Sequence, residues 1–167
     1  MILIIKMFLE SKHIEYIMKV SKDHSSFEYE ISQHFRMSGI YWGLTAMSIL
    51  GRDLAEEMDT AEIVKWVFRC QDEVSGGFGG SVGHDAHLLY TLSALQILAL
   101  TKQMHQLEDG VDKIAVFIGS LQNEDGSFSG DCWGEVDTRF SYCALSSLAL
   151  IVINRYCTYS ALYHSPL

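Results

Sequence analysis

The sequence predicts an all-α protein built from repeated helix pairs, and two observations support that class. First, the stretch from Gln71 to Leu100 recurs as Gln122 to Leu150, each with a glutamine, acidic residues, a glycine-rich turn with phenylalanine, an aspartate and an apolar helix. Second, several segments have apolar residues at helical spacing, and none alternates strictly over a useful length. A repeat at fixed spacing indicates units that bury their apolar faces against one another.

The repeat spacing is nearly constant. Gln71 and Gln122 are 51 residues apart, and Asp85 and Asp137 are 52 apart. We therefore expect a single domain over residues 1–167. The predicted repeats are approximately 31–71, 85–122 and 137–153.

Short amphipathic helices are expected to alternate with longer, more apolar ones, which suits an outer and an inner layer. Aspartate and threonine side chains accept hydrogen bonds from the free amides at a helix start, so they are the predicted N-caps. The position directly after a helix is often glycine, so Gly51 is expected to end the first inner helix. The predicted outer helices are 61–71 and 111–122, and the predicted inner helices are 31–50, 85–101 and 137–153. The predicted N-caps are Asp59 or Thr60, Asp85 and Asp137. Met1 to Val20 is a further candidate helix.

Composition excludes several classes of function. The 167 residues suit one domain, and 49% apolar content is enough for a core. A net charge of −9 argues against non-specific nucleic-acid binding. The four cysteines show no C-x-x-C spacing, which favours reduced thiols and a cytoplasmic location. The apolar run Met1–Leu9 has no basic leader or small-residue cleavage site, so a signal peptide is not expected. The run Ala144–Ile153 is too short to span a bilayer.

A basic residue occurs near the start of each inner helix, namely Arg36, His87 and Arg139. On one rim, together with the helix N-termini, these side chains would suit a ligand with an anionic head and a long apolar tail. The residues by themselves favour a simpler alternative. In it, Arg36 and Arg139 pair with nearby acids and His87 is a surface residue.

Three strings carry a resemblance to a known family: FRMSGIYWGLTAMSILG, CQDE…GGFGG…GHDAHLLYTLSALQILAL and LQNEDGSFSGDCWGEVDTRFSYCAL. Between about Ser11 and Leu150 the chain resembles the β subunits of protein prenyltransferases, above all those of the Rab (type II) geranylgeranyltransferases. The resemblance implies an α/α toroid, a zinc ion and an α-subunit partner. It also implies an enzyme that transfers geranylgeranyl from its diphosphate to C-terminal cysteines of a Rab protein, presented by an escort protein.

The resemblance also assigns site residues. It implies that Ser38, Trp42, Leu92 and Tyr142 line an isoprenoid tunnel, which Ser38 and Leu92 would deepen because farnesyl relatives carry bulky rings there. It places Arg139 at the peptide site. From the residues themselves, Ser38 is a helix-packing residue, and Leu92 and Trp42 are core. Arg139 would pair with Glu135 or Asp137.

The resemblance ends near Leu150, and 151–167 is a divergent tail. The family's zinc ligands and diphosphate-binding residues lie in later repeats. We therefore expect about half of the ring, with no catalytic residue or metal ligand in this chain and no activity of the chain alone. His84, His87 and Cys132 are ligand types, but a helix cap and surface residues are the expected roles.

Three functions stay open. The first is the β subunit of a Rab geranylgeranyltransferase. The second is a truncated, non-catalytic fragment that binds the α subunit or isoprenoid. The third and weaker one is a terpene cyclase-like protein, whose repeats share the glutamine and glycine-x-aromatic turn. A cyclase should carry an acidic protonating motif such as D-x-D-D, and Asp131-Cys132-Trp133-Gly134 is not one.

Overall fold

The computed structural model describes residues 8–107 and 110–163, with side chains described as far as Arg155. It confirms the all-α prediction, because the described residues form helices and only isolated β-bridges. The α-helices are α1 (Glu10–Ser21), α2 (Phe27–Ile31), α3 (Arg36–Ile49), α4 (Leu54–Glu57), α5 (Thr60–Arg69), α6 (Leu88–Leu100), α7 (Val111–Ser120) and α8 (Thr138–Tyr163), with 3₁₀ turns at Gln33–Phe35 and Met104–Leu107.

The three long apolar helices form one layer, in which α6 packs between α3 and α8. The shorter helices α5 and α7 pack against α6 and α8 respectively. Their apolar stripes and the long helices enclose a core that includes Met37, Leu44, Leu95, Leu98 and Ile114, each fully buried. Burial of each such side chain contributes roughly 1.5–3 kcal/mol, so this core supplies the main stabilisation.

The two glycine-rich turns share one backbone pattern. In each turn, the repeated glutamine forms an antiparallel bridge with the phenylalanine, Gln71 with Phe78 and Gln122 with Phe128. Two pairs of hydrogen bonds are equivalent between the turns. In the first pair, Asp72 N–H donates to Gly77 O and Asn123 N–H donates to Ser127 O, each at 2.8 Å. In the second pair, Gly79 N–H donates to Cys70 O and Ser129 N–H donates to Leu121 O, each at 2.9 Å. The sequence repeat is thus also a repeat of backbone geometry.

Each turn also fixes the start of the preceding long helix. Met37 N–H donates to Gly80 O at 3.0 Å, and Leu88 N–H donates to Gly130 O at 2.7 Å. The contact at Gly80 is very close, because a Cβ there would lie 1.9 Å from the carbonyl oxygen of His34. Neighbouring repeats are therefore joined through glycine backbone.

Two of the predicted N-caps are confirmed. Asp59 accepts a hydrogen bond from Glu62 N–H at the start of α5 (3.2 Å), and Asp137 accepts one from Arg139 N–H at the start of α8 (2.8 Å). The predicted end at Gly51 also agrees with the structure, since Gly51 has φ of 72° directly after α3. Only glycine adopts that conformation without strain.

The prediction that Asp85 caps the next inner helix is wrong. Helix α6 begins at Leu88, and its N-cap is His87. His87 N–H donates to Phe78 O at 3.0 Å, and His87 has extended backbone (φ −139°, ψ 141°). That bond holds residue 87 outside the helix, so the helix starts later than the repeat alignment predicts.

The ends of the chain are only partly described. Of the predicted helix at Met1 to Val20, residues 1–7 lie outside the described residues, and α1 covers the rest from Glu10. Part of the divergent tail is helical, since α8 continues to Tyr163, whereas residues 164–167 lie outside the description. None of the described helices combines the length and apolar character that a membrane span requires.

Candidate functional site

Helices α3 and α8 each leave an apolar stripe exposed. Trp42 is 59% exposed and Ile49 80%, and they lie seven residues apart on one side of α3. On α8, Tyr142 is 63% exposed and Leu145 66%, with Val152 seven residues further along the same side. Spacings of three, four and seven residues keep side chains on one helix face. We name the surface formed by these five side chains the inner face.

Trp42 and Tyr142, two of the four predicted tunnel residues, therefore lie on the inner face. The alternative in which Trp42 belongs to the core does not describe the structure, because that side chain is more than half exposed. Periodicity shows which residues share a helix face, but it does not show whether that face is covered.

The other two predicted tunnel residues, Ser38 and Leu92, are 2% and 4% exposed. Ser38 lies where α3 meets α6, and its Oγ is 3.0 Å from Oγ of Ser93. One turn further along, Gln96 Nε2 donates to Tyr41 Oη at 3.1 Å. Two polar contacts thus join these helices beside the inner face. The tunnel role of Ser38 and Leu92 stays a prediction.

The two arginines of the predicted basic rim are engaged with other groups and do not form an open cationic site. The Arg36 guanidinium stacks over the Tyr29 ring at 3.6 Å, and it donates to Tyr29 O at 2.7 Å. Arg139 pairs with Asp137 at 2.8 Å, and this hydrogen bond holds the pKa of the Asp137 carboxyl below its usual range. Both guanidinium groups therefore already have partners. Arg139 pairs with a nearby acid, as the simpler alternative predicts, whereas the partner that the structure gives Arg36 is Tyr29 and not an acid.

His87 is half-buried and not a fully exposed surface residue, and its surroundings favour the neutral ring. Its Nδ1 accepts a hydrogen bond from Leu89 N–H at 3.1 Å, so the proton of the neutral ring is on Nε2. Its ring lies 5.3 Å from that of Tyr90 and 5.2 Å from that of Phe140. Burial lowers the pKa of His87, and the charges of nearby Asp131 and Glu135 only partly oppose this.

The ends of the inner helices enclose an open pocket of about 370 Å³, lined by His34, Gly80, Gly83, His84, Asp85, His87, Tyr90 and Asp131. Trp133 bridges its two carboxylates, since its indole N–H donates to Asp85 Oδ2 (3.3 Å) and its backbone N–H to Asp131 Oδ1 (2.9 Å). The contact between Trp133 and Asp85 has no signal in the sequence, because 48 residues separate them. The pocket is more acidic than the predicted rim.

We expect the chain to lose stability as His87 is protonated. The pKa of folded His87 is depressed, so the folded state favours the neutral ring, and stability is lost as pH falls below the unfolded value of about 6.5. Protonation also removes the Nδ1 acceptor from the start of α6. Urea unfolding at pH 7.5 and pH 5.5 measures the effect.

His87→Asn is the matched variant, because asparagine caps helices well and does not titrate. It should show a smaller loss of stability between the two pH values than the native chain. His87→Ala should cost about 1 kcal/mol at pH 7.5 through loss of the cap. Equal pH dependence in the native chain and His87→Asn would contradict this role.

The zinc ion implied by the resemblance does not fit the described residues. His84 and Cys132 are exposed, and Nδ1 of His87 already accepts a hydrogen bond. Residues 8–107 and 110–155 contain no group of three histidine, cysteine or acidic side chains that could hold a metal ion. The described residues therefore provide no set of ligands for zinc.

Comparison with known proteins agrees with this helical architecture. Residues 8–163 match the family model of the prenyltransferase alpha-alpha toroid domain, so the chain belongs to that family. The α/α toroid predicted from the sequence is thereby confirmed.

Within the family, the chain is similar to geranylgeranyl transferase type-2 β subunits. It is 46% identical to that of Saccharomyces cerevisiae over 144 residues, which are 86% of this chain and 44% of the relative. It is 42% identical to that of Candida albicans over 154 residues, 87% of this chain and 44% of the relative. A protein farnesyltransferase β subunit of Pyricularia oryzae is 34% identical over 114 residues, 67% of this chain and 22% of the relative. The chain spans less than half the length of these relatives.

Proposed function

We propose that this chain is part of the β subunit of a Rab (type 2) geranylgeranyltransferase. In the complete enzyme, that subunit transfers geranylgeranyl from its diphosphate to C-terminal cysteines of Rab proteins. The observation that carries the proposal is the exposed inner face within a prenyltransferase toroid. The similarity to type-2 β subunits supports this substrate class.

The inner face suits an isoprenoid for a physical reason. Each methylene that leaves water contributes about 0.8 kcal/mol, so a long hydrocarbon binds where apolar side chains are already exposed. Trp42, Tyr142 and Leu145 offer such surface on two helices that flank α6. Ser38 and Leu92 lie beside it, and we propose that their small or aliphatic side chains allow the longer geranylgeranyl chain.

Arg139 is the residue that we assign to the peptide side of the site. Its side chain is 63% exposed, and it is the second residue of the helix that carries Tyr142. A guanidinium binds a carboxylate through paired hydrogen bonds, so a substrate carboxylate could take the place of Asp137. Arg36 and His87 would border this rim while remaining engaged with Tyr29 and Leu89.

The partners and cofactor of the complete enzyme are proposed from the family. They are an α subunit, a Rab protein with its escort protein, and zinc, in the cytoplasm. Zinc supplies a thiolate at neutral pH by lowering the pKa of the substrate cysteine. We place its ligands in the part of the relatives that this chain does not match, and we assign no catalytic residue among the described ones.

The test is transfer of labelled geranylgeranyl to a Rab in the presence of an α subunit, an escort protein and zinc. We would assay the chain itself and a complete subunit, in which these residues replace the matching stretch of the Saccharomyces relative. Transfer is expected from the complete subunit and not from the chain alone.

A complete subunit that assembles with the α subunit but transfers nothing would overturn the proposal. If the chain alone also binds the α subunit or the isoprenoid without transfer, the alternative of a non-catalytic binding fragment would be favoured. Transfer by the chain alone would show that the metal ligands had been misplaced.

A further inference from the structure

Ser93 occupies a distinctive place in the repeat. It follows Trp42 by 51 residues and precedes Leu145 by 52, so the three residues hold corresponding positions on α3, α6 and α8. Trp42 and Leu145 are large and exposed on the inner face, whereas Ser93 is small and 3% exposed. The middle helix thus has a small side chain where its neighbours have large ones.

Ser93 is paired directly with Ser38. Their Oγ atoms are 3.0 Å apart, and Ser93 Oγ also donates to Leu89 O at 3.1 Å. Because the Ser93 hydroxyl has one proton, that second bond makes Ser38 the donor to Ser93. Two of the smallest polar side chains therefore meet where α3 packs on α6.

The space around this pair is closed on the side away from the inner face. The opposite side of α6 carries Leu88, Leu95 and Leu98, each 0% exposed in the core. Because protein interiors are close-packed, an added methylene displaces the neighbouring side chains. A larger side chain at residue 93 must therefore extend along α3 toward the inner face.

We propose that Ser93 is a further specificity-determining residue, which together with Ser38 sets the length of isoprenoid that the inner face accepts. The inference rests on the proposed transferase function. It assigns the length limit to the combined volume of two residues on adjacent helices, so the effect of a change at one depends on the other.

The experiment measures kcat/KM for geranylgeranyl and for farnesyl diphosphate in the complete subunit described above. Ser93→Leu should lower the geranylgeranyl-to-farnesyl ratio by about tenfold, because one or two methylenes of the longer chain lose their burial. Ser93→Val should shift the ratio in the same direction by less. Ser93→Ala, which keeps the volume small, should leave it near the native value.

The matched control is Ser48→Leu, which adds the same side chain at an exposed position of α3 away from the pair. It should not change the ratio. If Ser93→Leu only weakened folding, activity toward both substrates would fall together and the ratio would stay constant. Thermal melting of Ser93→Leu and Ser93→Val measures any loss of stability separately from the change in preference.

An unshifted ratio in Ser93→Leu and Ser93→Val, with a native subunit that transfers geranylgeranyl, would overturn this inference and leave the proposed function intact. A ratio shifted equally by Ser48→Leu would also overturn it. A native subunit that transfers no geranylgeranyl would instead remove the proposed function, and the inference with it.

Discussion

Gly80→Ala is expected to destabilise the chain by about 3 kcal/mol or more. A Cβ at this position would lie 1.9 Å from His34 O and 3.0 Å from the Tyr90 ring, so the turn must move away from the 3₁₀ turn that precedes α3. That movement would also break the hydrogen bond from Met37 N–H to Gly80 O. Thermal unfolding followed by circular dichroism measures the loss.

Gly119→Ala provides the control. Gly119 lies in α7, and a Cβ there would meet nothing within 4 Å. Since alanine is a better helix former than glycine, this variant should be more stable by about 0.5–1 kcal/mol. If the two variants unfolded at the same temperature, the close turn-to-helix contact at Gly80 would not be a determinant of stability.

The elements that the sequence predicted well depend on local chemistry. Helical spacing of apolar residues identified the long and short helices, although the first inner helix begins at Arg36 and not at residue 31 as predicted. The caps at Asp59 and Asp137 follow from side chains that bond amides two or three residues away. The glycine-rich turns were recognisable because their spacing recurs. Each of these features is decided within a few residues of chain.

The start of α6 could not be predicted in the same way. Alignment of the repeats places Asp85 opposite Asp137, and both are aspartates before an apolar helix. The difference is a tertiary bond, from His87 N–H to Phe78 O, that keeps residue 87 extended. A sequence repeat predicts equivalent positions, but long-range bonds decide where each helix begins.

The rim shows the same limit for charge. Arg36, His87 and Arg139 share a repeat position, which correctly places each at or next to the start of a long helix. Their partners are not repeated: a tyrosine ring, a backbone amide and a carboxylate. The acidic contribution of Asp131, brought next to Asp85 by Trp133, has no signal in the repeat. The net charge of the rim therefore follows from the structure and could not be predicted from the repeat.

Ser38→Trp should change the isoprenoid preference of the complete subunit from geranylgeranyl toward farnesyl. Ser38 is 2% exposed and already in contact with Ser93, so the indole can only extend toward the inner face beside Trp42. There it would occupy the space of the far end of the longer chain. Loss of two to three buried methylenes, about 2 kcal/mol, corresponds to about a thirtyfold fall in the geranylgeranyl-to-farnesyl ratio of kcat/KM.

Ser38→Ala separates volume from hydrogen bonding in this prediction. Alanine keeps the space open but removes the hydroxyl that donates to Ser93. Ser93 retains its own bond to Leu89 O, so neither large destabilisation nor a change of preference is expected. An unchanged ratio in Ser38→Trp, in protein that melts like Ser38→Ala, would remove Ser38 as a length determinant. A shift in Ser38→Ala as large as that in Ser38→Trp would instead assign the selectivity to the hydroxyl pair, because only that pair is lost in both variants.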